Sequence, residues 1–393
     1  MRAPGGLVVY VTSHGFGHLN RSASVINRIP VDVPVFIRCH SNLFSHWQER
    51  LHRPADLSEH VSDAGAVNPV GDSAATDGAA TLERAAIVHA EGLAGMDDEV
   101  QWLRKVGAAA VLSDAPPLPL VAAKKAGIPG FLLANFTWSE IYAQIREGEP
   151  PGEPGVLSVR REPCPPGIAQ DDFVAEIRLA YRDAVEVFRA EPALELADFD
   201  RDKITDVGMV VTPGRDRRVE LRKQLGIAPT SKLVYFYIGR YGQADLGWER
   251  LEALHAKEIH LVGFHHPPRG PLANFHVVRP EDWTGADLAA STDVIVAKAG
   301  YGTACEAMVA GTPMIYPPRT GFAEHSALDR ALRNWGGGLP ASAKEFAEMR
   351  IEHLLEDAFR RKPGPPPFPV DGAARIAERL TRVCQSSELR EPR

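Results

Sequence analysis

The sequence predicts an α/β protein built as two parallel-sheet halves, and three observations carry the prediction. Short strand-like apolar runs alternate with helix-like segments, the order that gives a parallel sheet with right-handed crossovers. At 393 residues the chain is longer than one core ordinarily encloses, so two domains are expected. Residues 293–316 show the repeating unit most plainly. The β-branched run Val294-Ile295-Val296 leads into a turn spaced by Gly300 and Gly302. An Ala-rich segment follows, which Gly311 closes and Pro313 forbids from continuing, and then a second apolar run, Met314-Ile315-Tyr316.

Taken in order, residues 7–12 read as a buried strand and 13–18 as the loop after it. The helix that follows sets Leu19, Ala23, Ile26 and Ile29 on one face before Pro30 stops it. Residues 33–38 make a second strand, 57–78 have weak periodicity, and a helix is expected over about 81–105. Residues 109–113 form a strand that delivers Asp114 to its carboxyl end. Pro116, Pro117 and Pro119 open a helix ending near Gly127, and strand 130–134 runs into Asn135-Phe136-Thr137-Trp138. The proline- and glycine-rich stretch 147–167 reads as a surface loop, and 171–191 as one helix. Residues 194–203 are polar and irregular, and 207–211 restart the strand pattern. Strands at 233–238, 260–263 and 275–278 join 293–297 and 314–316 in the second half. A proline-rich connector at 362–369 precedes a helix from Gly372 to about Cys384. The expected division is a first domain at 1–205, a second at 206–370, and a terminal helix and tail at 371–393 packing back on the first.

The chain is 44% hydrophobic and 24% charged, the balance of a soluble globular protein. A formal charge of −7, a pI near 6.1 and no long basic run exclude an electrostatic footprint for nucleic acid. Cys39, Cys164, Cys305 and Cys384 are scattered without C-x-x-C spacing, which fits a reducing compartment. No apolar run approaches 18 residues and no signal segment is evident, so a cytoplasmic location is expected.

Chemistry-bearing residues gather at the strand ends. Gly300 and Gly302 remove two Cβ atoms where strand passes to helix, leaving backbone N–H groups and a positive helix terminus open to an anion such as phosphate. Glu306, one turn on, is placed to accept from a sugar hydroxyl, as an acidic residue holds ribose in dinucleotide sites. Pro317-Pro318-Arg319 and Glu324-His325 follow the next strand, again at its carboxyl end. His18 closes the glycine-spaced loop after the first strand, and a histidine as a residue type titrates near working pH, which makes it the preferred base, with His14 its rival. Asp114, from a neighbouring strand end, is placed to hold the imidazole by its second nitrogen. The Asp-x-Asp strings at 198–202 lie in irregular sequence and read as solvated turns, and the adjacent His265 and His266 point apart without a third ligand; no metal site is expected.

These motifs carry a resemblance. Residues 293–316 look like the donor motif of GT-B glycosyltransferases, and Ser13-His14-Gly15-Phe16-Gly17-His18-Leu19 resembles their first loop. Together with Leu112-Ser113-Asp114 and Asn135-Phe136-Thr137-Trp138-Ser139-Glu140-Ile141-Tyr142, they resemble the glycosyltransferase-like half of L-arabinokinases and bacterial relatives, over roughly residues 7–345. The resemblance implies two Rossmann-like domains facing each other across a cleft. It implies an inverting glycosyltransferase that needs no metal or cofactor, because helix termini take the diphosphate of a nucleotide-sugar co-substrate. The base again falls on His18, with Asp114 as its partner. Gly239, Arg240, Val278, Lys298, Gly300, Gly302, Thr303, Glu306, Arg319, Glu324 and His325 would hold the donor, with Val278 meeting the nucleobase edge through its backbone. His14, Phe16, Gly17, Asn135 and Trp138 would face the acceptor, a small molecule or glycan, a natural-product aglycone among them. The alternatives are a nucleotide-sugar epimerase or hydrolase of the same fold, and a non-catalytic nucleotide-sugar-binding module.

Overall fold

The computed structural model describes residues 5–12, 15–69, 75–147, 170–238, 246–268 and 270–386. Thirteen strands form two all-parallel sheets among these residues. The first contains β1 (Gly6–Val11), β2 (Val35–Cys39), β3 (Asp56–Glu59), β4 (Ala108–Asp114), β5 (Gly130–Ala134), β6 (Glu186–Ala190) and β7 (Ile204–Gly208), in the order β3-β2-β1-β4-β5-β6-β7. The second contains β8 (Lys232–Tyr237), β9 (Ile259–Gly263), β10 (Phe275–Val277), β11 (Val294–Ala297), β12 (Met314–Tyr316) and β13 (Gly338–Pro340), in the order β10-β9-β8-β11-β12-β13. The α/β class and the paired parallel sheets are as the alternating pattern predicts.

The central strands are buried along their length, as strands covered by helices on both faces must be. All six residues of β1 are buried, as are all four of β11. The helix Phe16–Ile26 buries Leu19, Ala23 and Ile26 against the first sheet, the face its sequence sets out. Gly15 at its N-cap has φ of +86°, a left-handed conformation that favours glycine. No helix among the described residues is long and apolar enough to cross a membrane.

Several elements differ from the sequence expectation. The helix expected over 81–105 is two, Gly78–Ala94 and Met96–Lys105, because Gly95 leaves helical geometry and caps both. The single helix expected over 171–191 is Gln170–Tyr181 followed by β6, whose Val187 and Phe188 are buried between sheet neighbours. Residues 194–203 join β6 to β7 rather than linking domains, and β7 completes the first sheet. The expected boundary at 205/206 therefore cuts a strand, and the chain leaves the first domain only after Gly208. It returns alongside: Met209 N–H donates to Pro369 O at 2.7 Å, and the helix Gly372–Gln385 packs against β1, β4, β7 and the helix Phe16–Ile26. The stretch 148–167 lies outside the described residues.

Candidate active site

Each sheet has a point where strand order reverses, between β1 and β4 in the first and between β8 and β11 in the second. Crevices beyond the carboxyl ends of strands at such points are where open α/β sheets bind ligands. At the first, β4 ends in Asp114 and β1 leads through a loop into the helix that carries His18 in its first turn. His18 Nδ1 lies 2.8 Å from Asp114 Oδ1, with the two residues 7% and 0% exposed. Asp114 also accepts from Arg21 Nε at 3.0 Å on both oxygens and from Ser22 Oγ at 2.5 Å. Burial alone would raise this carboxyl, but Arg21 and His18 outweigh it and hold it at about 2. Asp114 therefore stays ionised and can accept a hydrogen bond from a His18 Nδ1–H, the tautomer in which Nε2 carries the lone pair.

The polar chain continues across the domain boundary. Arg21, 2% exposed, donates to Asn135 Oδ1 at 2.5 Å, and its guanidinium carbon is 5.2 Å from the Tyr301 ring centroid. Asn135 Nδ2 donates to Glu324 Oε1 at 2.8 Å, and Arg319 Nη1 lies 3.5 Å from the other Glu324 oxygen. A second buried carboxylate lies nearby: Asp63 accepts from Thr12 Oγ1 and Trp138 Nε1, each at 2.7 Å, and burial pushes it up to about 6.

At the second switch point the helix Tyr301–Ala310 starts directly beyond β11, with Gly300 as an N-cap whose missing side chain leaves the first N–H groups uncapped. A Cβ built on Gly300 would meet nothing within 4 Å, and one on Gly302 would stand 3.7 Å from Gly17 Cα. The amino ends of helices Phe16–Ile26 and Tyr301–Ala310 thus approach each other glycine to glycine, one from each domain. Two positive helix ends side by side concentrate partial positive charge at this point. Lys298 and Thr303 flank it half-buried. One turn on, the Glu306 carboxyl sits so that a Cβ on Gly285 would lie 3.4 Å from Oε2, and burial pushes it up to about 7 against the pull of Arg50.

No protein-family model matches the chain. It is similar to the L-arabinokinase of Arabidopsis thaliana, 29% identical over 363 residues that make 90% of this chain and 32% of that protein. It is also 27% identical over 214 residues to the UDP-N-acetylglucosamine–N-acetylmuramyl-(pentapeptide) pyrophosphoryl-undecaprenol N-acetylglucosamine transferase of Clavibacter sepedonicus, covering 50% of this chain and 54% of that one. The chain thus spans about a third of the first relative and about half of the second. Among solved structures, the glycotransferase of kitacinnamycin superposes with a TM-score of 0.62 at 16% identity, over 98% of this chain and 96% of that one. A UDP-glucosyltransferase from Polygonum tinctorium capable of glucosylating indoxyl gives 0.61 at 17%, over 98% and 100%. The fold is that of the GT-B glycosyltransferases.

Within this GT-B frame the structure brings together His18, Asp114, Gly17 and Asn135 from one domain with Gly300, Gly302, Glu324 and Arg319 from the other. Other expected positions differ. Trp138 is wholly buried and spends its indole N–H on Asp63, so it belongs to the core behind the cleft and not to an acceptor-facing wall. Phe16 is half-buried, edge-on to His46 at 4.5 Å. The Val278 N–H is already given to Gly263 O at 3.0 Å, leaving only its carbonyl for a base edge. Glu324, expected to read sugar hydroxyls, has its two oxygens turned to Asn135 and Arg319. Beside it His325 Nδ1 and Arg319 Nε are buried without hydrogen bonds, and the Arg319 guanidinium lies 3.8 Å from the Phe322 ring centroid. His14, Gly239 and Arg240 lie outside the described residues. Asp198 of the Asp-x-Asp strings caps the 137–139 turn through Thr137 Oγ1 at 3.0 Å and pairs with Arg178.

Arg21, Ser22 and Asp63 were not singled out from sequence. Arg21 follows His18 by three residues on one helix, a spacing that puts both on one face and was available as a signal. Asp63 lies in the weakly patterned segment after β3 and offered none.

Proposed function

We propose that this chain is an inverting, metal-independent glycosyltransferase that moves a sugar from a nucleotide-diphosphate sugar to an acceptor hydroxyl, with small natural-product aglycones as the acceptor class. The observation that carries the reading is His18 Nδ1 at 2.8 Å from an ionised Asp114, at the first switch point and beside the facing helix amino ends. In this mechanism His18 Nε2 takes the acceptor hydroxyl proton as the acceptor oxygen bonds to the anomeric carbon. The bond from that carbon to the diphosphate oxygen breaks on the opposite face, and the nucleoside diphosphate leaves with the electron pair. Asp114 stabilises the imidazolium, and the N–H groups after Gly300 meet the developing phosphate charge. The names of the structural neighbours, a kitacinnamycin glycotransferase and an indoxyl-glucosylating enzyme, support the acceptor class.

A thermal-shift panel of UDP-, GDP- and TDP-sugars identifies the donor, because binding to the native state raises the melting temperature. With that donor, His18→Ala is expected to lower turnover by about 10²–10⁴ while leaving the donor-induced shift unchanged. NMR of the product is expected to show an inverted anomer, and EDTA is expected to leave the rate unchanged. A retained anomer, full activity in His18→Ala, or loss in EDTA restored by Mn²⁺ would overturn the corresponding part. Donor binding without turnover of any acceptor would favour the binding-module reading.

A further inference from the structure

We propose that Arg21 is a positioning residue that counterbalances Asp114 at the His18 ring and, through Asn135, ties the base to Glu324 of the donor domain. The inference rests on the reading of His18 as the base. His18 Nδ1 is 2.8 Å from Asp114 Oδ1 and 3.0 Å from Arg21 Nη2. One ring nitrogen serves only one of them: as N–H it donates to Asp114, and as a lone pair it accepts from Arg21. In the first state Nε2 is bare and competent to take a proton. In the second Nε2 carries the hydrogen and is not.

Asp114 and Arg21 therefore hold opposite ends of one equilibrium, and they also hold each other. Arg21 Nε donates to both Asp114 oxygens at 3.0 Å, so the carboxylate is already compensated by a buried cation before His18 gains any charge. A lone buried carboxylate would draw a permanent proton onto the imidazole; one shared with Arg21 orients the ring while leaving it free to cycle. Among the described residues, the charged and titratable groups around the imidazole are Asp114 from β4, Arg21 from its own helix and Asp63 from the segment after β3, with Tyr301 and Glu324 reached through Arg21 and Asn135. Arg21 is the one cation in that set. The same guanidinium reaches Asn135 Oδ1 at 2.5 Å, which turns the Asn135 amide so that Nδ2 meets Glu324 Oε1 at 2.8 Å. Base orientation and the place of a donor-domain carboxylate are thereby set by one side chain.

The test is ¹⁵N NMR titration of the His18 ring in the full chain, a readout that needs no turnover. Wild type is expected to show the Nδ1–H tautomer. Arg21→Met is expected to raise the His18 midpoint, because it leaves the Asp114 charge uncompensated beside the ring. The acid limb of kcat/KM should move with it, which a loss of packing alone would not cause. Should Arg21→Met fail to fold, Asp114→Asn supplies the converse: the ring should switch to the Nε2–H tautomer with Nδ1 accepting from Arg21, and its midpoint should fall. A folded Arg21→Met with an unmoved midpoint, or Asp114→Asn that keeps the Nδ1–H tautomer, overturns the inference. A wild type that transfers no sugar while the ring behaves as described defeats the transferase reading alone.

Discussion

A carboxyl accepts a hydrogen bond from a ribose hydroxyl most strongly when ionised, and Glu306 is held at the edge of that condition. Burial pushes its carboxyl up to about 7, with Arg50 pulling it part of the way back and Asp287 pushing further up. The native state therefore keeps the proton between the ordinary value near 4.5 and about 7, and the carboxylate predominates only above that window. If Glu306 receives the ribose, donor affinity should rise by up to about tenfold between pH 6 and 8, following the ionised fraction. Glu306→Gln should flatten the profile. Calorimetric titration at several pH values checks this, and a flat wild-type profile would remove Glu306 from the donor site. The position of Glu306 was legible because its spacing from Gly302 is local. Its raised pKa was not, since the burial that lifts it and the Asp287 charge that adds to the lift come from elsewhere in the chain. The same distinction separates His18 and Asp114, each readable as the last residue of a strand-end motif, from Asp63, whose partners Thr12 and Trp138 converge on it only after folding.

Among the elements, the helix Tyr301–Ala310 has its proposed donor contact at its amino end, and Gly302 is where that end meets Gly17. A bare Cβ fits there at 3.7 Å, so the helix itself does not demand glycine. The branched methyls of valine would project into the gap between the two helix ends. Gly302→Val is expected to fold normally and to weaken nucleotide-sugar binding by about tenfold or more, some 1.4 kcal/mol. Circular dichroism together with the thermal-shift response separates the two effects, and an unchanged donor-induced shift in the folded variant would place the diphosphate elsewhere. This unit could be read in advance because its glycine turn, Ala-rich helix and closing Gly311 are all local signals; Gly311 indeed has φ of +73° at the C-cap. β6 could not. Its residues mix Glu186 and Arg189 with Val187 and Phe188, a composition that continues the preceding helix equally well until β5 and β7 supply ladder partners.

At the scale of the whole molecule, the chain crosses between domains twice, and its first and last described elements meet. The Gly5 N–H donates to Cys384 O at 3.1 Å, and the helix Gly372–Gln385 buries Ile376, Leu380 and Val383 against the first domain. That helix packs directly behind the helix Phe16–Ile26, so it is part of the support that fixes where His18 points. A proline-rich connector followed by an amphipathic helix was legible as a returning segment. The crossing after Gly208 was not, because an irregular stretch within a sheet and a linker between sheets look alike in sequence. Leu380 is fully buried, and Leu380→Ala should cost about 2–5 kcal/mol through lost burial and the cavity left behind. If the helix belongs energetically to the first domain, hydrogen exchange should accelerate in β1, β4 and the helix Phe16–Ile26 while β8 and β11 keep their protection. Donor-induced stabilisation should survive, since the residues proposed to hold the donor lie mostly in the other domain, whereas turnover should fall as His18 loses its backing. Equal loss of protection in both sheets would instead make the two domains one cooperative unit, with the terminal helix as a clasp across them.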